Sequence, residues 1–539
     1  MCNIYSGVSF AVLLFSVVSY IFVMNQKQTD LMAKNGLLFL SNVAKTNDIC
    51  VRASKYVKKM LYIKIKGKNE SVLPVVSKQI VDLYSQATSK CNNLDVRLLL
   101  KPIELTKNIK TNYPIDLILY DSDLSKEVES LQHSIATLNA GSKLESIEIV
   151  SDHVGEASEE PVKTYEYVAL GGTFDRLHNG HKILLSQAAL RATKHLTVGV
   201  TDVNMIQSKK LWELIEPIET RIKAVVDFLT DINPELEYNV VPIQDLYGPT
   251  KDDPRYQLIV VSEETSRGAV KINEKRAENG LQPLETYVIK LAQDSNPARS
   301  HEEEEKVSSS NHRMRLLGTY LKSPVPNPNI PDWPYVIGLA GGIASGKSNI
   351  AEKLKAKGAA IINCDTIAHD LYKPGLPLNS TLSVTFRKDI ITDTGEVDRR
   401  KLGSIVFGDK EQLEKLNTIV WPAVIEEAQR RVRILGEDGH RVVVMEAAVM
   451  VRAKWYTQCH QLWSVIIPPE EAIKRLQNRN GLSEEEAKQR VSSQPSNQEQ
   501  VAPANIVFSP YWSYEYTQSQ IDRAWDLLQE YLRNRKVQT

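Results

Sequence analysis

"YVIGLAGGIASGKSNIAEKLKAKGAAIINCD" occupies Tyr335–Asp365. An apolar run leads into a glycine-rich turn, then a stretch with helical spacing, then a second apolar run that ends at Asp365. Strand, turn, helix, strand is the unit from which open parallel sheets are wound, and such sheets bind ligands at the carboxyl ends of their strands. Inside it, "GGIASGKS" (Gly341, Gly342, Ile343, Ala344, Ser345, Gly346, Lys347, Ser348) satisfies G-x-x-x-x-G-K-[ST] in the required setting. The glycines let backbone amides turn inward around a phosphate. Lys347 can reach the outer phosphate oxygens of ATP, and the Ser348 hydroxyl can ligate Mg²⁺. Asp365 ends the next strand, where a carboxylate can accept the proton of an attacking hydroxyl; capping the helix near Thr366 is the plain alternative.

The same order occurs upstream. "YVAL" (Tyr167–Leu170) reads as a buried strand, "GGTFDRLHNGH" (Gly171–His181) as a turn, "HKILLSQAAL" (His181–Leu190) as a helix and "LTVGV" (Leu196–Val200) as the next strand. His178 and His181 are three residues apart in that turn. A metal site would need further ligands, and beyond nearby Asp175 no His, Cys or Asp constellation accompanies the pair. A second reading makes His181 a buried helix cap. A third puts both imidazoles and a helix N-terminus at one anionic crevice, where their donors would stabilise charge on a phosphate under attack.

Bulk composition limits the alternatives. The 539 residues exceed one core and predict about three or four domains. Lys plus Arg and Asp plus Glu number 66 each, so no overall basic field points to nucleic acid. Five scattered cysteines without a CxxC pair argue against a disulfide framework and against zinc, and fit a reducing compartment. Nothing calls for haem or flavin. "KSPVPNPNIPDWP" (Lys322–Pro334) holds five prolines in thirteen residues and marks a semi-rigid boundary. Val8–Met24, "VSFAVLLFSVVSYIFVM", is a 17-residue run without charge, followed by Lys27 and Lys34. That pattern predicts a short N-terminal membrane anchor with the rest of the chain facing the cytosol, with a cleaved signal or a buried helix as alternatives.

Beyond the phosphate loop the resemblance to known families becomes specific. "INCDTIAHDLYKPG" (Ile362–Gly375), "GEVDRRKLGSIVF" (Gly395–Phe407) and "NRNGLSEEEAKQRVSSQ" (Asn478–Gln494) resemble the successive motifs of dephospho-CoA kinase. The resemblance implies that Asp365 is the base for a ribose 3′-hydroxyl and that Arg399 and the arginines of a lid, Arg475, Arg479 and Arg490, contact phosphates. A solvated helix face explains the lid arginines about as well. Trp421 and Arg452 depart from the residues usual at their positions.

"GGTFDRLHNGH" resembles the first signature of the nucleotidylyl transferases, and "VSSSNHR" (Val307–Arg313) the second, with Ser310 where threonine is usual. The resemblance implies an ATP-binding turn at Gly171, Gly172, Thr173 and Phe174, catalytic His178 and His181, and a second wall from Ser308, Ser309, Ser310 and Arg313. Lys209, Lys210 and Arg221 of "KKLWELIEPIETR" would clamp phosphates. "VVSEETSRGAVKINEKR" (Val260–Arg276) looks like a segment of eukaryotic and archaeal phosphopantetheine adenylyltransferases, departing at Arg267.

The order of the two resembles the bifunctional coenzyme A synthases. Expected, then, are two successive doubly wound parallel-sheet α/β domains, a nucleotidylyl transferase domain at 161–322 and a P-loop kinase at 335–539, joined by a linker at 323–334. Residues 1–27 would be the anchor, and 28–160 an α/β region whose role is left open. ATP, 4′-phosphopantetheine and dephospho-CoA would be the small-molecule partners and Mg²⁺ the metal. The outer mitochondrial membrane is favoured over the endoplasmic reticulum or free cytoplasm, and the oligomeric state is left open. The competing readings are a nicotinamide-mononucleotide adenylyltransferase fused to a nucleoside kinase, and a membrane-anchored scaffold with decayed sites.

Overall fold

The computed structural model describes residues 32–41, 49–66, 73–91, 94–101, 108–147, 162–290, 293–294, 296, 299–386, 388–406 and 409–538. The apolar run Val8–Met24 lies outside them. Among the described residues no helix is long and apolar enough to cross a membrane, and the four described cysteines are buried and unbridged. The chain divides into two compact units, residues 1–311 and 312–539.

The first unit contains two five-stranded sheets. One is built from β1 (Ala33–Leu40), β2 (Val57–Ile65), β3 (Asp95–Leu99), β4 (Ile115–Asp121) and β5 (Leu138–Ile147), in the order β3-β2-β1-β4-β5. The other uses β6 (Tyr165–Gly172), β7 (Ala192–Thr201), β8 (Glu237–Ile243), β9 (Leu258–Ser262) and β10 (Glu285–Ile289), in the order β10-β9-β6-β7-β8. Every neighbouring pair in both sheets is parallel. Read from one edge, both sheets follow the same winding, with the first strand central and the order reversing beside it. The apolar runs "GLLFL" (Gly36–Leu40) and "IDLILY" (Ile115–Tyr120) lie in β1 and β4. Their region, expected to mix strands and helices, is itself a doubly wound sheet.

The two sheets share one apolar core. It runs from Leu38, Ile80 and Tyr84 of the first to Ile183, Leu185 and Val225 of the second without interruption. The reason lies in the helix Asn179–Arg191, which follows β6. All of its residues from Lys182 to Arg191 are buried, so its polar Lys182, Gln187 and Arg191 are covered as fully as its leucines. A helix covered on every face lies between two layers.

In the second unit β11 (Tyr335–Gly341), β12 (Ala360–Asn363), β13 (Val442–Glu446), β14 (Gln461–Val465) and β15 (Ile506–Phe508) form a parallel sheet ordered β12-β13-β11-β14-β15. The central strand again runs into the phosphate turn, and all seven residues of β11 are buried. The stretch before the prolines belongs to this unit by its bonds. Gly318 donates to the Val507 carbonyl at 2.9 Å and Leu321 to that of Asn505 at 2.8 Å. The packing boundary therefore falls ahead of the proline run, because residues 318–321 pair with the β15 edge.

His460 anchors the start of β11. Its Nδ1 accepts from the Val336 amide at 2.9 Å, and its ring stacks on Tyr335 with centroids 4.4 Å apart. Burial lowers its pKa from the usual 6.5 to about 4. Between those values the unfolded chain takes up a proton here that the folded chain refuses, so stability falls as pH falls. The loss is about 3 kcal/mol across the window. Urea unfolding of the second unit at pH 7 and pH 4.5 should show a steeper loss in the wild type than in His460→Gln. Equal pH slopes would contradict the assignment.

Two candidate active sites

At the carboxyl end of β6 the chain makes a strained turn. Phe174 and Arg176 both have left-handed φ, at 50° and 47°. The turn is held from three sides. Asp175, fully buried, accepts from the Glu216 amide at 3.0 Å and from Arg176 Nη1 at 2.9 Å. Arg221 donates through Nη1 to the Thr173 carbonyl at 2.8 Å and the Thr201 carbonyl at 2.9 Å, and through Nε to the Glu216 carbonyl at 2.8 Å. The Phe174 ring fills the space beside Gly172, where a Cβ would come within 2.9 Å of it.

The turn delivers His178 to the N-cap of the helix Asn179–Arg191. Its Nδ1 accepts from the His181 amide at 3.3 Å. The two imidazoles stack with centroids 3.7 Å apart and planes within 17°, and Phe174 lies 5.2 Å from the His181 ring. The cap is thus His178, not His181. From the second signature, Ser309 Oγ lies 3.4 Å from His178 Nε2 and donates to the Asp175 carbonyl at 3.2 Å. Two segments 131 residues apart in sequence meet at the histidines. Ser308 Oγ accepts from the Asn311 amide at 3.2 Å, opening the helix Ser309–Leu316 that carries Ser310 and buried Arg313. Lys209 and Lys210 lie exposed, in the loop after β7.

Arg221 is placed differently from the expectation. It is 1% exposed, and burial lowers its pKa. The donors named above are committed to three backbone carbonyls, so it braces the turn. Asp175, the one carboxylate considered as a metal partner, is likewise used within the turn. Among the described residues no group of three His, Cys, Asp or Glu is arranged to hold a metal ion.

The second site lies at the carboxyl end of β11. Gly341 must lack a side chain, since a Cβ would meet Ser345 Oγ at 2.7 Å and the Val465 carbonyl oxygen at 2.9 Å. Ala344 and Gly346 have φ of 58° and 89°, which turns the loop into the helix Lys347–Ala356. The Ile343 amide donates to Gln494 Oε1 at 2.6 Å. Lys347 reaches Glu446 Oε1 at 2.8 Å and lies 3.9 Å from Asp365 Oδ2. Ser348 Oγ donates to the same Glu446 oxygen at 2.6 Å.

Asp365 sits in the first turn of the helix Cys364–Leu371. Its alternative role as the cap belongs to Asn363, whose side chain accepts from the Thr366 amide at 3.0 Å. Asp365 is therefore available at the mouth of the loop. Arg399 donates to His369 Nε2 at 2.9 Å; burial and Arg399 lower the His369 pKa. Arg475 reaches the loop, donating to the Pro510 carbonyl at 2.8 Å and approaching the Ala344 carbonyl at 3.5 Å. Arg479 and Arg490 are exposed on the helices either side of Gly481.

Glu446 was not foreseen. It is 3% exposed and ends β13, where it pairs in register with Leu339 of β11. The signal was in the sequence: "VVVME" is an apolar run closed by one carboxylate, which a parallel neighbour of the loop strand brings to the same sheet end.

Comparison with known proteins agrees with this geometry. Residues 335–510 match the family model for dephospho-CoA kinase, and residues 169–315 the cytidylyltransferase-like model. The dephospho-CoA kinase of Carboxydothermus hydrogenoformans is 41% identical over 186 residues, which is 34% of this chain and 90% of that protein. That of Syntrophus aciditrophicus is 40% identical over 193 residues, 36% of this chain and 82% of that protein. The phosphopantetheine adenylyltransferase of Saccharomyces cerevisiae is 38% identical over 185 residues, 33% of this chain and 58% of that protein. The chain belongs to the dephospho-CoA kinase family through its second unit and, with a nucleotidyltransferase domain ahead of that kinase, has the make-up of a bifunctional coenzyme A synthase.

Proposed function

We propose that the two sites catalyse the last two steps of coenzyme A synthesis in succession. The observation that carries this is the pairing itself: an adenylyl-transfer turn and a dephospho-CoA kinase loop in one chain, so that the product of the first is the substrate of the second. In the first step a phosphate oxygen of 4′-phosphopantetheine attacks the α-phosphorus of ATP. A new P–O bond forms, the bond to the leaving pyrophosphate breaks, and dephospho-CoA results. The substrate supplies the nucleophile, so the protein's task is to stabilise charge. His178, His181 and the amides at Gly171–Phe174 face that charge, with Ser308, Ser309 and Ser310 opposite. Lys209 and Lys210, which are exposed, hold phosphates, while Arg221 keeps the turn in shape.

In the second step Asp365 accepts the proton of the dephospho-CoA 3′-hydroxyl. That oxygen takes the γ-phosphoryl group of a second ATP held by Gly341–Ser348, and ADP leaves. Lys347 exchanges its bond to Glu446 for phosphate oxygens, while Arg399, Arg475, Arg479 and Arg490 neutralise the transferring group. The Ser348 hydroxyl with the Glu446 and Asp365 carboxylates is an all-oxygen donor set that fits Mg²⁺. Bound there with ATP, the ion would offset charge between the outer phosphates. The uncharged run Val8–Met24 with Lys27 and Lys34 behind it supports an anchored enzyme facing the cytosol, at the outer mitochondrial membrane.

Purified protein given ATP and phosphopantetheine, followed by mass spectrometry, separates the two sites. His181→Ala should abolish dephospho-CoA formation and leave kinase turnover of supplied dephospho-CoA within twofold. Lys347→Ala should let dephospho-CoA accumulate without CoA. Loss of both activities in either variant would contradict independent sites. Glu446→Gln should slow the kinase step by about 100-fold and leave adenylyl transfer unchanged; a kinase rate within threefold of wild type would remove Glu446 from the mechanism.

A further inference from the structure

The N-terminal sheet has the winding of the adenylyltransferase sheet. At the carboxyl end of β1, the position from which β6 turns into the histidines, the Ser41 amide donates to Asp121 Oδ2 at 2.5 Å. Asp121 is fully buried and also accepts from the Asp123 amide at 3.1 Å. A carboxylate therefore occupies a backbone donor that a phosphate would need, and its charge repels one. The two family matches, residues 169–315 and 335–510, lie outside this sheet.

Its bonds go to the catalytic helix of the other sheet. Asn179, the residue between His178 and Gly180 in "HNGH", donates through Nδ2 to Thr88 Oγ1 at 3.0 Å. The Thr88 hydroxyl spends its own proton on the Tyr84 carbonyl at 2.8 Å, which fixes it as the acceptor for Asn179. One turn on, Lys182 pairs with Asp95 and donates to the Val96 carbonyl at 3.2 Å. Further along, Gln187 accepts from Ser77 Oγ at 2.9 Å and donates to the Ser77 carbonyl at 2.7 Å. Asn179 and Lys182 lie one turn apart on the helix and Gln187 further along it, and each makes at least one hydrogen bond to the N-terminal sheet domain. The same seam continues at the next helix, where Arg97 pairs with Asp231, and Tyr62 donates to that carboxylate at 2.8 Å.

We infer that the N-terminal domain is a positioning element of the adenylyltransferase site, with Thr88 and Asp95 fixing the first turn of the helix that presents His178 and His181. This rests on the first-step chemistry proposed above. The tethers at Asn179 and Lys182 bracket His181 and follow His178 directly, so movement of that turn displaces both rings together. A displacement of about 1 Å at a charge-stabilising donor is enough to cost up to ~100-fold in rate. The layer buries apolar surface against the helix, and in addition a part-buried hydrogen bond enters the histidine motif itself, at the residue that follows His178.

The test uses the full-length chain with Thr88→Val, which keeps the shape and removes the acceptor, and Thr88→Ser, which restores it. In Thr88→Val the kcat of dephospho-CoA formation should fall about tenfold with KM for ATP changed less than threefold. Kinase turnover of supplied dephospho-CoA should be unchanged, and Thr88→Ser should recover at least half of the lost rate. Without substrate, the imidazole NMR resonances of His178 and His181 should shift in the valine variant and not in the serine variant. Unchanged kcat together with unchanged resonances would overturn the inference. So would a lowered melting temperature with normal kcat per folded molecule. A wild type that forms no dephospho-CoA, while its histidine resonances still respond to Thr88→Val, would overturn the first-step chemistry and support the positioning role.

Discussion

A central parallel strand that runs out into a helix N-terminus imposes the constraint on which both sites depend. Backbone amides at such a junction have no partners within the helix and point at one spot, so an anion bound there satisfies them. The chain makes this junction at β6 and again at β11, and braces each differently. At β6 the turn has two non-glycine residues in the left-handed region, and Arg221 spends three donors holding it closed. At β11 the closure is steric: Gly341 leaves room for the Val465 carbonyl, and Gly346 makes the turn into the helix. The difference follows the chemistry. Adenylyl transfer needs donors fixed around the α-phosphorus, while the kinase loop must wrap the outer phosphates.

The electrostatics of the kinase loop follow from its company on the sheet. Lys347 is 9% exposed, and the carboxylate of Glu446 beside it offsets a charge that burial alone would make costly. The same carboxylate orients Ser348. The loop is thereby held ready for nucleotide by a buried pair rather than left to organise on binding. Binding then trades one anion for another at Lys347, and no buried cation is left unpaired.

Much of this was legible in the sequence because it is local. The strand, glycine turn and helix of each junction are contiguous in the chain, at Tyr165–Arg191 and Tyr335–Ala356, and the spacing of "GGIASGKS" and "HNGH" fixes which side chains reach the phosphates. What was not legible is what comes from across a sheet or a layer. Glu446 is placed by the register of β13 on β11, 105 residues beyond Gly341 in the chain (446 − 341). Arg221 carries the same charge whether it clamps phosphate or binds carbonyls, and only burial separates the two. The helix Asn179–Arg191 shows i and i+4 pairs that fit a single covered face. Its polar residues gave no sign that a second sheet lay over them, and the region that covers it carries no motif.

With both sites active, one chain converts 4′-phosphopantetheine to coenzyme A with two ATP molecules. The most direct measurement is wild-type turnover with ATP and, in parallel, 4′-phosphopantetheine or nicotinamide mononucleotide, read as product mass. Phosphopantetheine should give dephospho-CoA followed by coenzyme A, with one pyrophosphate and one ADP released per coenzyme A, and nicotinamide mononucleotide should give no dinucleotide. Adenylylation of nicotinamide mononucleotide in preference to phosphopantetheine, or dephospho-CoA that is never phosphorylated, would contradict it.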